Sequence, residues 1–261
     1  MLLEDKTAIV YGAGGAIGGA VARVFAAEGA TVFLAGRTRR HLDAVAAGIG
    51  RAGGRAEVAV LDALDEQAVD DQVRSVVDRA GGVDISLNLV SRGDVQGIPL
   101  VQMTTADFLR PVTAGLTANF VTARAAGRQM AEQGSGVILA LDSGSAHGSP
   151  MMGGTGPADA AIDTLIRNLA TELGPYGVRA AGVWTAGVPE TFAPEYAGRN
   201  PLRDATGLGP EQIDEIIGGL SVLKRAPRLA EVVATLAFLA SDGAASITGT
   251  FVNVTAGIFS S

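Results

Sequence analysis

The chain has 261 residues, 48% of them hydrophobic, with 36 glycines, a formal net charge of −7 and a pI near 4.9. That apolar content, with no glycine period, excludes a collagen-like or disordered chain, and the acidic balance without a basic face argues against a nucleic-acid partner. Cysteine is absent and the only histidines are His41 and His147, so disulfides and thiolate chemistry are excluded and no metal site is expected.

The N-terminal MLLEDKTAIVYG lacks the layout of a signal peptide, and no apolar run approaches the roughly 18 residues of a membrane span. A cytoplasmic protein with no membrane partner is expected. In chain order, strands are expected at 7–12, 31–35, 56–62, 84–90, 136–142, 178–184 and 250–255. Helices are expected between them at 16–28, 38–50, 65–79, 105–133 in two pieces, 155–173 and 228–240. The strand runs are apolar throughout rather than alternating, which predicts a sheet covered on both faces. Strands alternating with helices predict parallel βαβ units. The fold class is therefore α/β: a single Rossmann-type doubly wound domain over 1–261, about seven parallel strands with helices on both faces. Residues 187–221 break the rhythm with four prolines. An insertion of that length after the sixth strand predicts a substrate lid at the carboxyl edge of the sheet.

The first strand runs into YGAGGAIGG, Tyr11 to Gly19, and then directly into a helix. This is the context in which a glycine turn holds a pyrophosphate: the backbone can approach closely, and the helix N-terminus offers N–H donors. Gly12, Gly14, Gly15, Ala16, Ile17 and Gly18 are the candidate phosphate cradle. The second strand ends in LAGRTRR, Leu34 to Arg40. A carboxylate there would hold the ribose 2′-hydroxyl of NAD, whereas Gly36 and Arg37, with Thr38, place a cation and a hydroxyl where a 2′-phosphate would lie. The expected cofactor is NADP(H).

With these residues the chain resembles the short-chain dehydrogenase/reductase family along essentially its whole length. The glycine turn is similar to Thr-Gly-x-x-x-Gly-x-Gly, with Tyr11 for the Thr and Ala16 for the middle Gly. LDA, Leu61 to Ala63, matches the site of the adenine-binding Asp, which assigns Asp62 and Ala63 to the cofactor. VDISLNLVS, Val83 to Ser91, matches the Asn-Asn-Ala-Gly stretch, with Asn88 retained. AGVPET, Ala186 to Thr191, resembles Pro-Gly-x-x-x-Thr, which assigns Gly187 and Thr191 to the nicotinamide end. ELGPYGVR (172–179), LAFLASD (236–242) and NVTAG (253–257) are further matches in the family's order.

The resemblance implies hydride transfer at a carbonyl or alcohol carbon, with a Tyr as proton carrier, a Lys four residues on, a Ser and an Asn. In register, the Tyr position is Thr155, the Lys position Asp159 and the Asn position Gly115, with Asn119 one turn further on. Spacing leaves Ser143 and Asp142 as alternatives for the Ser. The chain's two lysines, Lys6 and Lys224, lie far from this helix in sequence. A threonine does not titrate as a phenol beside an ammonium does. Replacing Lys by Asp reverses a charge worth about 3 kcal/mol at about 5 Å, which opposes an oxyanion nearby. Asp159 would keep the lysine's capacity to bind ribose hydroxyls. Candidate catalytic residues are therefore Asp142, Ser143, Thr155, Asp159 and His147, the last from the loop beyond the serine strand. Three activities fit: an atypical NADP(H)-dependent reductase of a carbonyl or conjugated carbonyl; a non-catalytic nucleotide-binding or partner subunit; and a lyase or isomerase using Asp or His on the same scaffold. The partner expected is a small-molecule substrate. The resemblance also implies a homodimer or homotetramer, with Ala158, Ala160 and Ala161 permitting close helix approach.

Overall fold

A computed structural model describes residues 1–199 and 201–259. Its strands are β1 (Thr7–Tyr11), β2 (Thr31–Gly36), β3 (Arg55–Val60), β4 (Ile85–Asn88), β5 (Gly136–Asp142), β6 (Val178–Thr185) and β7 (Thr250–Val254). Its helices are α1 (Ala16–Ala27), α2 (Arg39–Arg51), α3 (Glu66–Ala80), α4 (Thr105–Gln133), α5 (Thr155–Leu173), α6 (Pro201–Thr206), α7 (Pro210–Leu220) and α8 (Leu229–Ala240). The seven strands form one parallel sheet in the order β3-β2-β1-β4-β5-β6-β7. The apolar strand runs are explained by two cores. Val21, Phe25 and Leu236 of α1 and α8 pack on one face, and Val73, Ala126 and Ile162 of α3, α4 and α5 on the other.

Strand order reverses between β1 and β4, so their carboxyl ends splay apart and open a crevice. The chain segments after β1, β4, β5 and β6 all emerge at that edge. The expected break in the 105–133 helix is absent: α4 runs unbroken through Pro111. Pro111 is the seventh residue of α4 and gives up one ladder bond, but α4 packs on α3 and α5, which holds it continuous. Thr104 caps α4 by accepting the Asp107 N–H at 3.1 Å, and Gly134 ends it at φ +76°.

The segment 187–221 is not a bare loop. It folds into 3-10 turns Pro189–Phe192 and Pro194–Tyr196, then α6 and α7. Buried Ile213 of α7 packs against Gly187, anchoring the segment to the end of β6. Ala158 of α5 is buried within the chain, while Ala160 is exposed. Among the described residues, no helix is long and apolar enough to cross a membrane.

Candidate active site

A cavity of about 410 Å³ opens at the crevice between β1 and β4. Gly12, Gly14, Gly15, Ala16, Ile17 and Gly18 form its floor, Arg37 and Thr38 one end, and Asp62 and Ala63 the adjoining wall. The floor requires glycine. Gly12 has φ +79°, and a Cβ on Gly18 would lie 2.2 Å from the Gly12 carbonyl oxygen. The first backbone bond of α1 is Gly19 N–H to Gly15 O, at 2.9 Å. The N–H groups of Ala16, Ile17 and Gly18 precede it, and their residues line the cavity, an arrangement suited to a diphosphate. Thr38 begins α2 without using its hydroxyl as a cap. Thr191 reaches the cavity from the end of β6, and its hydroxyl donates to Val188 O at 2.8 Å. Asn88 and Gly187 lie elsewhere. The Asn88 amide donates to Thr122 Oγ1 at 3.1 Å and accepts from Val90 N at 2.9 Å, tying β4 to α4. Gly187 makes room for α7.

The catalytic candidates cluster beyond β4 and β5, outside the walls of this cavity. Asp159 is fully buried on α5. Its Oδ2 accepts Ser143 Oγ at 2.6 Å, Ser145 N at 3.0 Å and Ser143 N at 3.3 Å. Its Oδ1 accepts Arg92 Nη1 at 2.5 Å. The expected capacity of Asp159 for ribose hydroxyls is therefore taken up by protein groups. Ser143 gives its only hydrogen to Asp159, so Ser145 is the donor in the 2.7 Å contact between the two hydroxyls. Thr155 donates to Asp94 Oδ1 at 2.8 Å, and Asp94 in turn pairs with Arg92 at 3.2 Å. His147 is exposed, held edge-on to Trp184 with ring centroids 4.7 Å apart and with Nδ1 3.1 Å from Gly144 O.

Arg92 is the residue that sequence reasoning missed. Its side chain is 13% exposed, and it crosses to α5 through a gap left by Gly115, where a Cβ would lie 2.5 Å from Arg92 Cδ. Burial opposes its charge, but Asp94 and Asp159 outweigh that and hold its pKa above the usual guanidinium range. Asp159, at the expected Lys position, is thus paired with a cation from another loop, which it shares with Asp94. The available signal was the triple departure at Gly115, Thr155 and Asp159, which leaves room and a carboxylate for a cation. Asp142 faces the same helix. Burial, then Asp159, push its carboxyl up to about 9, so it is a neutral acid at pH 7. Its Oδ1 accepts Gly144 N at 2.9 Å, and its buried Oδ2 has no partner among the described residues. Tyr11 is fully buried in the strand before the turn, its phenol held neutral by burial and then by Asp70.

The family model described as enoyl-(acyl carrier protein) reductase matches residues 12–258. L-rhamnose 1-dehydrogenase (NAD(P)(+)) of Azotobacter vinelandii is 32% identical, over 99% of this chain and 98% of its own. The short-chain reductase protein NovJ of Streptomyces niveus is 30% identical, over 97% and 94%. A solved structure of NAD+-bound xylitol dehydrogenase superposes with a TM-score of 0.86 at 26% identity, covering 98% of this chain and all of that one.

Proposed function

This chain belongs to the short-chain dehydrogenase/reductase family of oxidoreductases, and we propose that it is an NADP(H)-dependent member that acts on a carbonyl or conjugated carbonyl without the family's Tyr and Lys. The observation that carries this reading is the cavity itself: a glycine floor with α1 donors, closed at the β2 end by Arg37 and Thr38, where a ribose-binding carboxylate is replaced by Gly36. A bound dinucleotide supplies or takes the hydride. Arg37 supplies a permanent charge for a 2′-phosphate, and Thr38 a hydroxyl donor.

The polar cluster sets the substrate chemistry. In the resting arrangement Ser143 and Thr155 both donate to carboxylates, at 2.6 and 2.8 Å. Ser143 therefore offers a substrate hydroxyl an acceptor lone pair. To polarise a carbonyl, it must turn its hydrogen away from Asp159. That cost favours a substrate already activated by conjugation. Arg92 keeps the carboxylate behind Ser143 compensated, and Asp142 holds a proton inside the same cluster.

The experiment is a fluorescence titration with NADPH followed by turnover on a panel of simple and conjugated ketones. Micromolar binding with consumption of NADPH on a conjugated ketone is expected, and Ser143→Ala should lower kcat by about a hundredfold. A second reading is favoured by one observation: the loop 91–97 engages both Thr155 and Asp159, the Tyr and Lys positions. On that reading the chain is a nucleotide-binding subunit without turnover. Tight NADPH binding with no consumption across the panel would select it.

A further inference from the structure

The nucleotide cavity has a second wall that the sequence motifs do not account for. Tyr196, Gly198 and Arg199 of the 187–221 segment line it as well, with Arg199 beside the Gly14 turn. Gly198 sits at φ +72°, a left-handed turn that favours glycine. The Arg199 guanidinium lies over the Tyr196 ring, 5.1 Å from its centroid, and donates to Glu195 O. Its other arm reaches across 185 residues of chain to Gly14 O, at a long 3.4 Å. Two backbone carbonyls, one of them distant, are weak partners for a fork of five N–H groups. Close by, at the start of α2, is His41, whose Cβ lies 3.0 Å from where a side chain on Gly14 would begin. Its imidazole is held below its usual range by burial, then by Arg199 and Arg40, which places Arg199 within electrostatic reach of that end of the cavity. The lining thus holds two arginines, Arg37 and Arg199, against one carboxylate, Asp62.

We infer that Arg199 is a lid-borne phosphate ligand that joins Arg37 in binding the 2′-phosphate of the adenosine ribose, so that the lid as well as the β2 end selects a phosphorylated dinucleotide. The inference rests on the NADP(H) reading above. A guanidinium pairs bidentately with a phosphate monoester, which is a stronger partner than the Gly14 carbonyl. Gly14 belongs to the same turn that α2 packs against, which sets Arg199 toward the ribose rather than the far end of the cavity. The Tyr196 ring and the Glu195 carbonyl hold the side chain in place for that contact.

The test measures dissociation constants of NADPH and NADH by nucleotide fluorescence, and of adenosine 2′,5′-bisphosphate by displacement, for the wild type, Arg199→Ala and Arg199→Lys. Arg199→Ala should weaken NADPH and the bisphosphate by about tenfold or more and NADH by less than about twofold, with Arg199→Lys intermediate. Equal weakening of NADPH and NADH would overturn the assignment in favour of a diphosphate contact. Unaltered NADPH binding in a folded Arg199→Ala variant would overturn it outright. A wild type that binds neither dinucleotide would bring down the NADP(H) reading itself, a distinct result from either of those.

Discussion

At Asp159 a fully buried carboxylate depends on one guanidinium, and removing that partner leaves an uncompensated charge in the protein interior. Arg92→Ala is expected to destabilise the fold by about 3–5 kcal/mol, read from denaturant unfolding. Asp159→Asn in the same background should recover part of the loss. Gly115→Ala sets a Cβ 2.5 Å from a stem pinned at its head by two carboxylates. It should cost about 1–3 kcal/mol in the wild type and almost nothing beside Arg92→Ala; additive losses would show that the gap does not serve Arg92. Asp142 gives a pH signature. Its folded pKa of about 9 exceeds the ordinary 3.8, so the folded state holds the extra proton between those values. The stability that Asp142 confers is complete below about pH 4 and declines toward pH 9, with a slope of up to about 1.4 kcal/mol per pH unit. Asp142→Asn should flatten the unfolding free energy across that window, and an unchanged profile would refute the neutral-acid assignment.

Among elements, the turn from β1 into α1 tolerates no added side chain at Gly18. A Cβ on Gly18 meets the Gly12 carbonyl oxygen at 2.2 Å, and relief requires the turn to open. Gly18→Ala should therefore weaken NADPH binding by more than about tenfold, while far-UV circular dichroism stays native. This turn was readable from sequence because its logic is local: strand, glycines and helix lie within a dozen residues. The seven strands were readable for the same reason, through apolar runs that need no partner to be recognised. The continuity of α4 was not, because Pro111 signals a break locally while packing against α3 and α5 decides otherwise. Arg92 was not, because its meaning lies in Asp159, 67 residues away, and in the space at Gly115. The helices within 187–221 were masked by four prolines, two of which in fact open α6 and α7, the first-turn position where proline is tolerated.

Across the whole molecule, the parallel sheet delivers the candidate segments to one edge: the glycine turn after β1, Arg37 after β2, the Arg92 loop after β4, Ser143 after β5 and the 187–221 segment after β6. The nucleotide cavity and the polar cluster are separate constructions on that edge. The first carries a glycine turn similar to the family's, with Ala16 at the middle glycine position. On the proposed reading, the second carries Thr155 and Asp159 at the family's Tyr and Lys positions, beside Ser143. The central claim is that hydride still crosses between them. It is tested most directly by offering a conjugated ketone with NADPH carrying deuterium at the transferable position of the nicotinamide C4, and examining the product by mass spectrometry. Deuterium on the product carbon, appearing about a hundredfold more slowly with Ser143→Ala, is the predicted result. NADPH bound tightly with no deuterium in any product of the ketone panel would contradict it.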